Sequence, residues 1–279
     1  MLSYRHAFHA GNFADVLKHW VLVECIDYLK KKEKPFTYFD THAGPGMYAL
    51  DSDFAQKTHE YETGIARIWN DPQLPEVLQP YCDLVKSLNE PASLNVYPGS
   101  PGIAKWMLRE TDRLVLSELH STEYMALSEN FSHDRRAEVW KEDGFNRTLK
   151  RLPPSHRRGL VLIDPPYELK EDYERVIDFL IAAQGKFAQG VYALWYPVVD
   201  RARIDEIERA LKQSGIRAIA LFELGLEADT DGRGMTSSGM IVINPPWTLK
   251  KQIDSGIDYL VNTLGKDGAF SRSEILVEE

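Results

Sequence analysis

The feature that most constrains the fold is an alternation that recurs along the chain. Short β-rich apolar runs are separated by stretches long enough to be helices. The patterning predicts strands at 36–40, 113–118, 138–141, 160–164, 191–195, 216–223 and 239–243, seven in all. It predicts helices at 12–32, 100–109, 121–131, 145–151, 172–184, 202–214 and 249–262. Strands joined through helices must run mostly parallel, with helices covering both faces of the sheet. The last two strands flank a loop rich in Gly and Asp, 225–239, and are expected as an antiparallel pair at the sheet edge. Residues 53–95 break the alternation, with helical patterns at 60–69 and 76–88, prolines among them and no clear buried strand. The expected organisation is an α/β domain begun by 1–52 and completed by 96–279, with 53–95 as an inserted helical subdomain.

A chain of 279 residues, 43% hydrophobic and 27% charged, suits one large α/β domain with an insertion. Cys25 and Cys82 have no metal-type spacing, and two thiols in so long a chain suggest a reducing compartment. The N-terminus shows no secretory pattern, and no apolar run approaches the ~20 residues of a membrane span. The expectation is a cytoplasmic protein without membrane contact. A net charge of −9 argues against tight, non-specific nucleic-acid binding. Local basic groups such as Arg5-His6, Lys18-His19, Lys30 to Lys34, Arg135-Arg136 and Arg157-Arg158 still leave room for a small docking patch.

In such a sheet, ligands sit beyond the carboxyl ends of the strands. After the first strand comes Asp40-Thr41-His42-Ala43-Gly44-Pro45-Gly46. The glycines let backbone approach a nucleotide-like ligand, or simply make a tight turn, and Thr41 and His42 could donate to a carboxylate. The third glycine of a dinucleotide fingerprint is absent, which disfavours a dehydrogenase. Glu118, after the second strand, is placed to accept from a ribose diol, or is a surface acid. Asp143, after the third, could accept from an adenine amine, cap the next helix, or do both.

The strongest signal follows the fourth strand: Asp164-Pro165-Pro166-Tyr167. Two prolines make a stiff extended turn and remove N–H donors. What remains is a carboxylate and the Pro165 carbonyl, both acceptors, beside the Tyr167 ring. An exocyclic amino group has two N–H donors on a planar ring that can stack, so the match is chemical. Asn244-Pro245-Pro246-Trp247 looks similar but follows the expected edge strand and is assigned to structure. His6, His9 and His19 lie near the N-terminus, but no Cys or acid cluster completes a metal site, and none is expected.

Together these positions resemble class I S-adenosylmethionine-dependent methyltransferases, and the tetrad resembles amino methyltransferases of nucleic acids. Further segments resemble the RlmJ family of bacterial 23S ribosomal RNA adenine-N6 methyltransferases. These are Tyr4-Arg5-His6-Ala7-Phe8-His9-Ala10-Gly11-Asn12, Asp15-Val16-Leu17-Lys18-His19, Asp40-Thr41-His42-Ala43-Gly44, Tyr97-Pro98-Gly99-Ser100-Pro101, Ala193-Leu194-Trp195-Tyr196-Pro197 and Gly234-Met235-Thr236. The resemblance spans essentially the whole chain, the insertion included. It implies a Rossmann-like seven-stranded sheet and S-adenosyl-L-methionine as cofactor. It further implies His19, His42 and Ser100 at the cofactor carboxylate end, Glu118 on the ribose, Asp143 and Gly144 on the adenine, and Asp164 beside the methyl-bearing end. Tyr4 would contact the RNA, with Lys18 and His6 on the same wall.

On this reading, Asp164 and the Pro165 carbonyl accept both N–H bonds of the target amine and aim its lone pair at the methyl group. Asp164 is the catalytic residue, and Tyr167 stacks on a base that has left its helix. The expected partner is 23S ribosomal RNA, protein-free or in an early assembly intermediate, acted on by a monomer. Rival readings are a DNA adenine-N6 methyltransferase, separable by methyl transfer to duplex DNA, and a non-catalytic RNA-binding assembly factor, separable by cofactor titration. A protein glutamine methyltransferase is disfavoured because Asn is expected where this chain has Asp164.

Overall fold

The computed structural model describes residues 6–230 and 234–279, so Tyr4 and Arg5 lie outside the described residues. A 3-10 turn, His6–Phe8, leads into helix α1, Phe13–Lys30. Asn12 caps α1, its side chain accepting from the Asp15 N–H at 3.0 Å. Strands β1 Thr37–Asp40 and β2 Met47–Ala49 follow. Helices α2 Ala55–Thr58 and α3 Gln79–Ser87 lie between β2 and β3 Val96–Pro98. Then come α4 Ser100–Met107, β4 Arg113–Ser117, α5 Ser121–Asn130, β5 Ala137–Trp140, α6 Gly144–Arg151 and β6 Gly159–Ile163. The remainder is α7 Glu171–Lys186, β7 Val191–Val198, α8 Arg201–Gln213, β8 Ile219–Gly225, β9 Ser237–Ile243, α9 Leu249–Asp254, α10 Ile257–Leu264 and β10 Phe270–Val277.

The main sheet has eight strands in the order β10-β8-β9-β7-β6-β1-β4-β5. From β7 across to β5 the strands are parallel, and β9 is antiparallel to both β7 and β8. The chain winds from β1 through β4 to β5, then returns to β6 and β7 on the other side of β1. The winding direction reverses between β1 and β6, and a crevice forms at their carboxyl ends. Successive strand residues enter opposite cores. Leu160 and Leu162 of β6 join α1, α4, α9 and α10, whereas Val161 and Ile163 join α6, α7 and α8.

The seven expected strands are all present, and four details differ. β10 is an eighth strand, antiparallel to β8 at the edge. β9 is therefore interior, and Asn244-Pro245-Pro246-Trp247 does not follow an edge strand. Because β9 runs against β7, pairing Ile243 with Tyr192 at the start of β7, that tetrad emerges at the end of the sheet remote from the crevice. The stretch expected as one helix at 249–262 breaks at Ser255-Gly256, where the chain crosses α1. A Cβ on Gly256 would lie 3.0 Å from the Trp20 ring. The helix expected at 60–69 is two 3-10 turns, Glu60–Thr63 and Ile65–Arg67. Gly64 between them lies so close to α1's entry that a Cβ would sit 2.1 Å from the Gly11 carbonyl oxygen.

The inserted segment is closed at its base by the antiparallel pair β2–β3 and lies over α1. Trp20 Nε1 donates to the Val77 carbonyl at 3.1 Å. Covered by the sheet on one side and the insertion on the other, α1 is buried nearly all round. Asp15, Lys18 and His19 are buried with it, so each must find a polar partner inside the protein.

Candidate functional site

A cleft of about 180 Å³ opens at the carboxyl ends of β1, β4 and β6 and beside the first turns of α1. His6, Lys18, His19, His42, Ser100, Glu118, Asp143, Gly144, Asp164 and Pro165 all line it. Tyr167 does not. It lines an adjoining hollow of about 340 Å³ with Tyr173, Trp195 and Met235. The two spaces meet at His6, Pro166, Glu168 and Leu169, so the proline turn is their common wall.

The deepest part is a chain of ion pairs and hydrogen bonds. Lys18 Nζ lies 2.6 Å from Asp164 Oδ2 and 2.8 Å from Asp15 Oδ1. Asp15 in turn meets His6 Nε2 at 2.9 Å and accepts from the Gly11 N–H at 2.8 Å. Burial alone would lower the Lys18 pKa, but the two carboxylates outweigh it and raise it. Burial would raise that of Asp15, but His6 and Lys18 hold it well below the carboxylate range. The Lys18 ammonium is therefore a fixed cation, 5.4 Å from the centre of the Trp195 ring. It engages one oxygen of Asp164.

The turn holding Asp164 is constrained from both ends. Tyr167 takes a left-handed backbone, φ 49°, and its hydroxyl donates to the Trp195 carbonyl at 2.8 Å. Its ring packs 4.6 Å from that of Tyr173. This fastens the tetrad to β7, and the ring faces the second hollow rather than the cleft.

The other wall is built from β1 and α4. Asp40 is fully buried and accepts from Tyr38 Oη at 2.6 Å and Ser100 Oγ at 2.7 Å. Burial pushes its carboxyl up to about 6. His19 Nδ1 is 2.6 Å from Tyr97 Oη, and burial pushes its pKa down to about 3. His42 Nδ1 is 2.8 Å from Thr41 Oγ1, and burial lowers its pKa to about 4. Both rings are thus neutral near pH 7. Glu118 accepts from the Gly44 N–H at 2.9 Å and the His120 N–H at 2.6 Å, and burial raises its pKa. Asp143 caps α6 through the Asn146 N–H at 2.9 Å and also meets Arg175 at 2.8 Å. Gly144 is a close-approach glycine, since a Cβ would fall 1.8 Å from the Thr41 carbonyl oxygen.

Sequence reasoning assigned no role to Asp15, Asp40, Tyr97 or Arg175. Asp15 carried a usable signal: an acid three residues before Lys18 within an apolar helix is either paired or misplaced. Tyr97 and Arg175 reach the site only through tertiary folding, and nothing local marks them.

The sheet order, the crevice at its switch point and the acceptor turn after β6 define a methyltransferase of the class I fold. The family model described as "Ribosomal RNA large subunit methyltransferase D, RlmJ" matches residues 33–276. The chain belongs to that family. It is 52% identical over 264 residues to "Ribosomal RNA large subunit methyltransferase J" of Escherichia coli (strain K12), covering 95% of this chain and 94% of that protein. The Haemophilus influenzae protein of the same name is 50% identical over 272 residues, covering 97% of each. A crystal structure of a Legionella pneumophila protein superposes with a TM-score of 0.89 at 36% identity, covering 96% of this chain and 98% of that one.

Proposed function

We propose that this chain transfers the methyl group of S-adenosyl-L-methionine to the exocyclic N6 amine of an adenine in 23S ribosomal RNA. The names of its relatives support ribosomal RNA as the substrate. The observation that carries the chemistry is the Asp164 turn: Lys18 holds Oδ2 at 2.6 Å, and Oδ1 has no other bond among the described residues.

The cleft's donor set fits the cofactor. Neutral His19 and His42 with Ser100 stand at one end, suited to an amino-acid group. Ser100 commits its proton to Asp40, so its hydroxyl offers lone pairs to an ammonium. Glu118 at the end of β4 suits a ribose diol, and beside it His120 Nδ1 is buried with no partner among the described residues. Asp143 and Gly144 suit an adenine edge. When bound, the cofactor supplies a methyl group activated on a sulfonium.

The chain's own residues do the rest. Asp164 Oδ1 and the Pro165 carbonyl accept the two N–H bonds of the target amine and orient its lone pair. The Asp164 carboxylate offsets the positive charge that develops on the nitrogen. Lys18 fixes Asp164, and His6 hydrogen-bonds Asp15 at the far end of the line. Tyr167, Tyr173 and Trp195 wall the adjoining hollow, where an adenine flipped from its helix would enter at a cost of a few kcal/mol. Tyr4, outside the described residues, remains part of this proposal as an RNA contact. We further propose that 53–95 acts as a subdomain bracing α1 within a domain formed by 1–52 and 96–279. The protein would act as a cytoplasmic monomer on protein-free RNA or an early assembly intermediate. Among the described residues, no helix is long and apolar enough to cross a membrane.

Labelled methyl transfer tests this reading. Wild-type protein should label protein-free 23S ribosomal RNA and leave duplex DNA unlabelled. Labelling of DNA alone would overturn it.

A further inference from the structure

Three buried groups form a line from the inserted segment into the cleft. Tyr81 Oη on α3 is 2.8 Å from Tyr97 Oη on β3, which is 2.6 Å from His19 Nδ1 on α1. Tyr81, Tyr97 and His19 have relative exposures of 0%, 0% and 1%. Burial holds both phenols well above their ordinary pKa, so each keeps its proton.

The protons in this line can be counted. Tyr81 Oη has one proton and, among the described residues, one partner, Tyr97 Oη. If Tyr81 donates to Tyr97, Tyr97 donates to His19 Nδ1, every hydroxyl proton is used, and the ring proton of His19 is on Nε2. If the line runs the other way, His19 Nδ1–H donates to Tyr97, Tyr97 donates to Tyr81, and the Tyr81 proton has no acceptor among the described residues. A buried donor left unsatisfied costs about 1–3 kcal/mol, and the first arrangement avoids it.

We infer that Tyr97, backed by Tyr81, is a positioning residue that locks His19 in the Nε2–H tautomer, so that His19 presents a hydrogen-bond donor to the cleft. A donor there suits an anionic oxygen of the ligand, which on the cofactor reading proposed above is the carboxylate of its amino-acid end. Tyr81, on helix α3 of the inserted segment, is compatible with this arrangement: it donates to Tyr97 Oη and leaves that hydroxyl's own proton for His19.

The test reads the tautomer in cofactor-free protein by nitrogen-15 NMR of the histidine rings, with His19 assigned by His19→Gln. Wild type should show a pyridine-type Nδ1 and a pyrrole-type Nε2 for His19. Tyr81→Phe should keep that pattern, because Tyr97 still has His19 as its acceptor. Tyr97→Phe should release it to a mixture and weaken S-adenosyl-L-methionine binding on the order of 5- to 20-fold by calorimetry. A pyrrole-type Nδ1 in wild type would overturn the inference without any variant having to fold. So would an unchanged tautomer and affinity in Tyr97→Phe. Absence of cofactor binding to wild type would instead overturn the cofactor reading and leave the tautomer to be judged by NMR alone.

Discussion

Lys18 shows how burial turns a common surface residue into part of a site. It is 3% exposed and touches two carboxylates, one of them 146 residues away in sequence. Removing it would leave Asp15 buried beside a vacancy. Lys18→Met should therefore cost about 3 kcal/mol of stability, read by urea unfolding, and should slow methyl transfer as well. Asp164→Asn should reduce turnover by on the order of 10²-fold while cofactor affinity changes only a few-fold. Turnover near wild type would remove Asp164 from the chemistry. The histidines make acid stability a further readout. His19 titrates at about 3 in the fold against an ordinary 6.5, so unfolding takes up a proton between those values. Its contribution is complete above pH 6.5 and is lost as pH falls. Asp40, raised to about 6 from 3.8, acts oppositely: its contribution is present at low pH and lost as pH rises through 6. In His19→Gln the slope of unfolding free energy against pH between about 4 and 6 should drop by about 1 kcal/mol per pH unit, leaving the Asp40 trend exposed. Parallel curves for variant and wild type would contradict this account of His19. At this scale strand-end positions alone marked His42, Glu118, Asp143, Asp164 and Pro165 of the cleft lining, whereas His6, Lys18, His19, Ser100 and Gly144 were reached only through the family resemblance. The sequence did not carry the Lys18–Asp164 and His19–Tyr97 contacts, because partners so far apart meet only when the sheet closes.

Among the elements, the legible ones were those whose burial follows a period. The four buried residues of β1 and the five of β6 read as strands because helices cover both faces of each. β10 did not, because half-exposed Ser271, Arg272 and Ser273 and exposed Glu274 give no apolar alternation; its Arg272 instead pairs with Glu208 at 2.9 Å. β2 and β3 are too short to show a period. The 3-10 turns around Gly64 have a different cause. The helical pattern is present in the sequence, but close contact with the Gly11 carbonyl forces a break. Gly64→Ala should accordingly destabilise the fold by about 1–3 kcal/mol and disturb the start of α1, seen as a lower urea midpoint and faster amide exchange at residues 13–16. Unaltered exchange there would mean that the insertion does not brace α1.

At the scale of the whole molecule, the winding order puts the ends of β1, β4 and β6 around one crevice, and the N-terminal helix closes it. The sheet supplies the groups suited to the cofactor, the proline turn divides the cleft from the adjoining hollow, and residues 53–95 pack against α1 from behind. The overall charge of −9 is compatible with an RNA substrate if contact is confined to the mouth of this crevice. Membership of the family fixes the class of reaction, and the Asp164 turn gives a physical reason for an amine as the acceptor. The most direct test is to incubate the protein with isotopically labelled S-adenosyl-L-methionine and protein-free 23S ribosomal RNA, digest the RNA and locate the label by mass spectrometry. One labelled nucleoside, N6-methyladenosine, is expected, and it should be absent when Asp164→Ala protein is used. A label on a ring nitrogen, on another base or on ribose, or equal labelling by the Asp164→Ala protein, would contradict it.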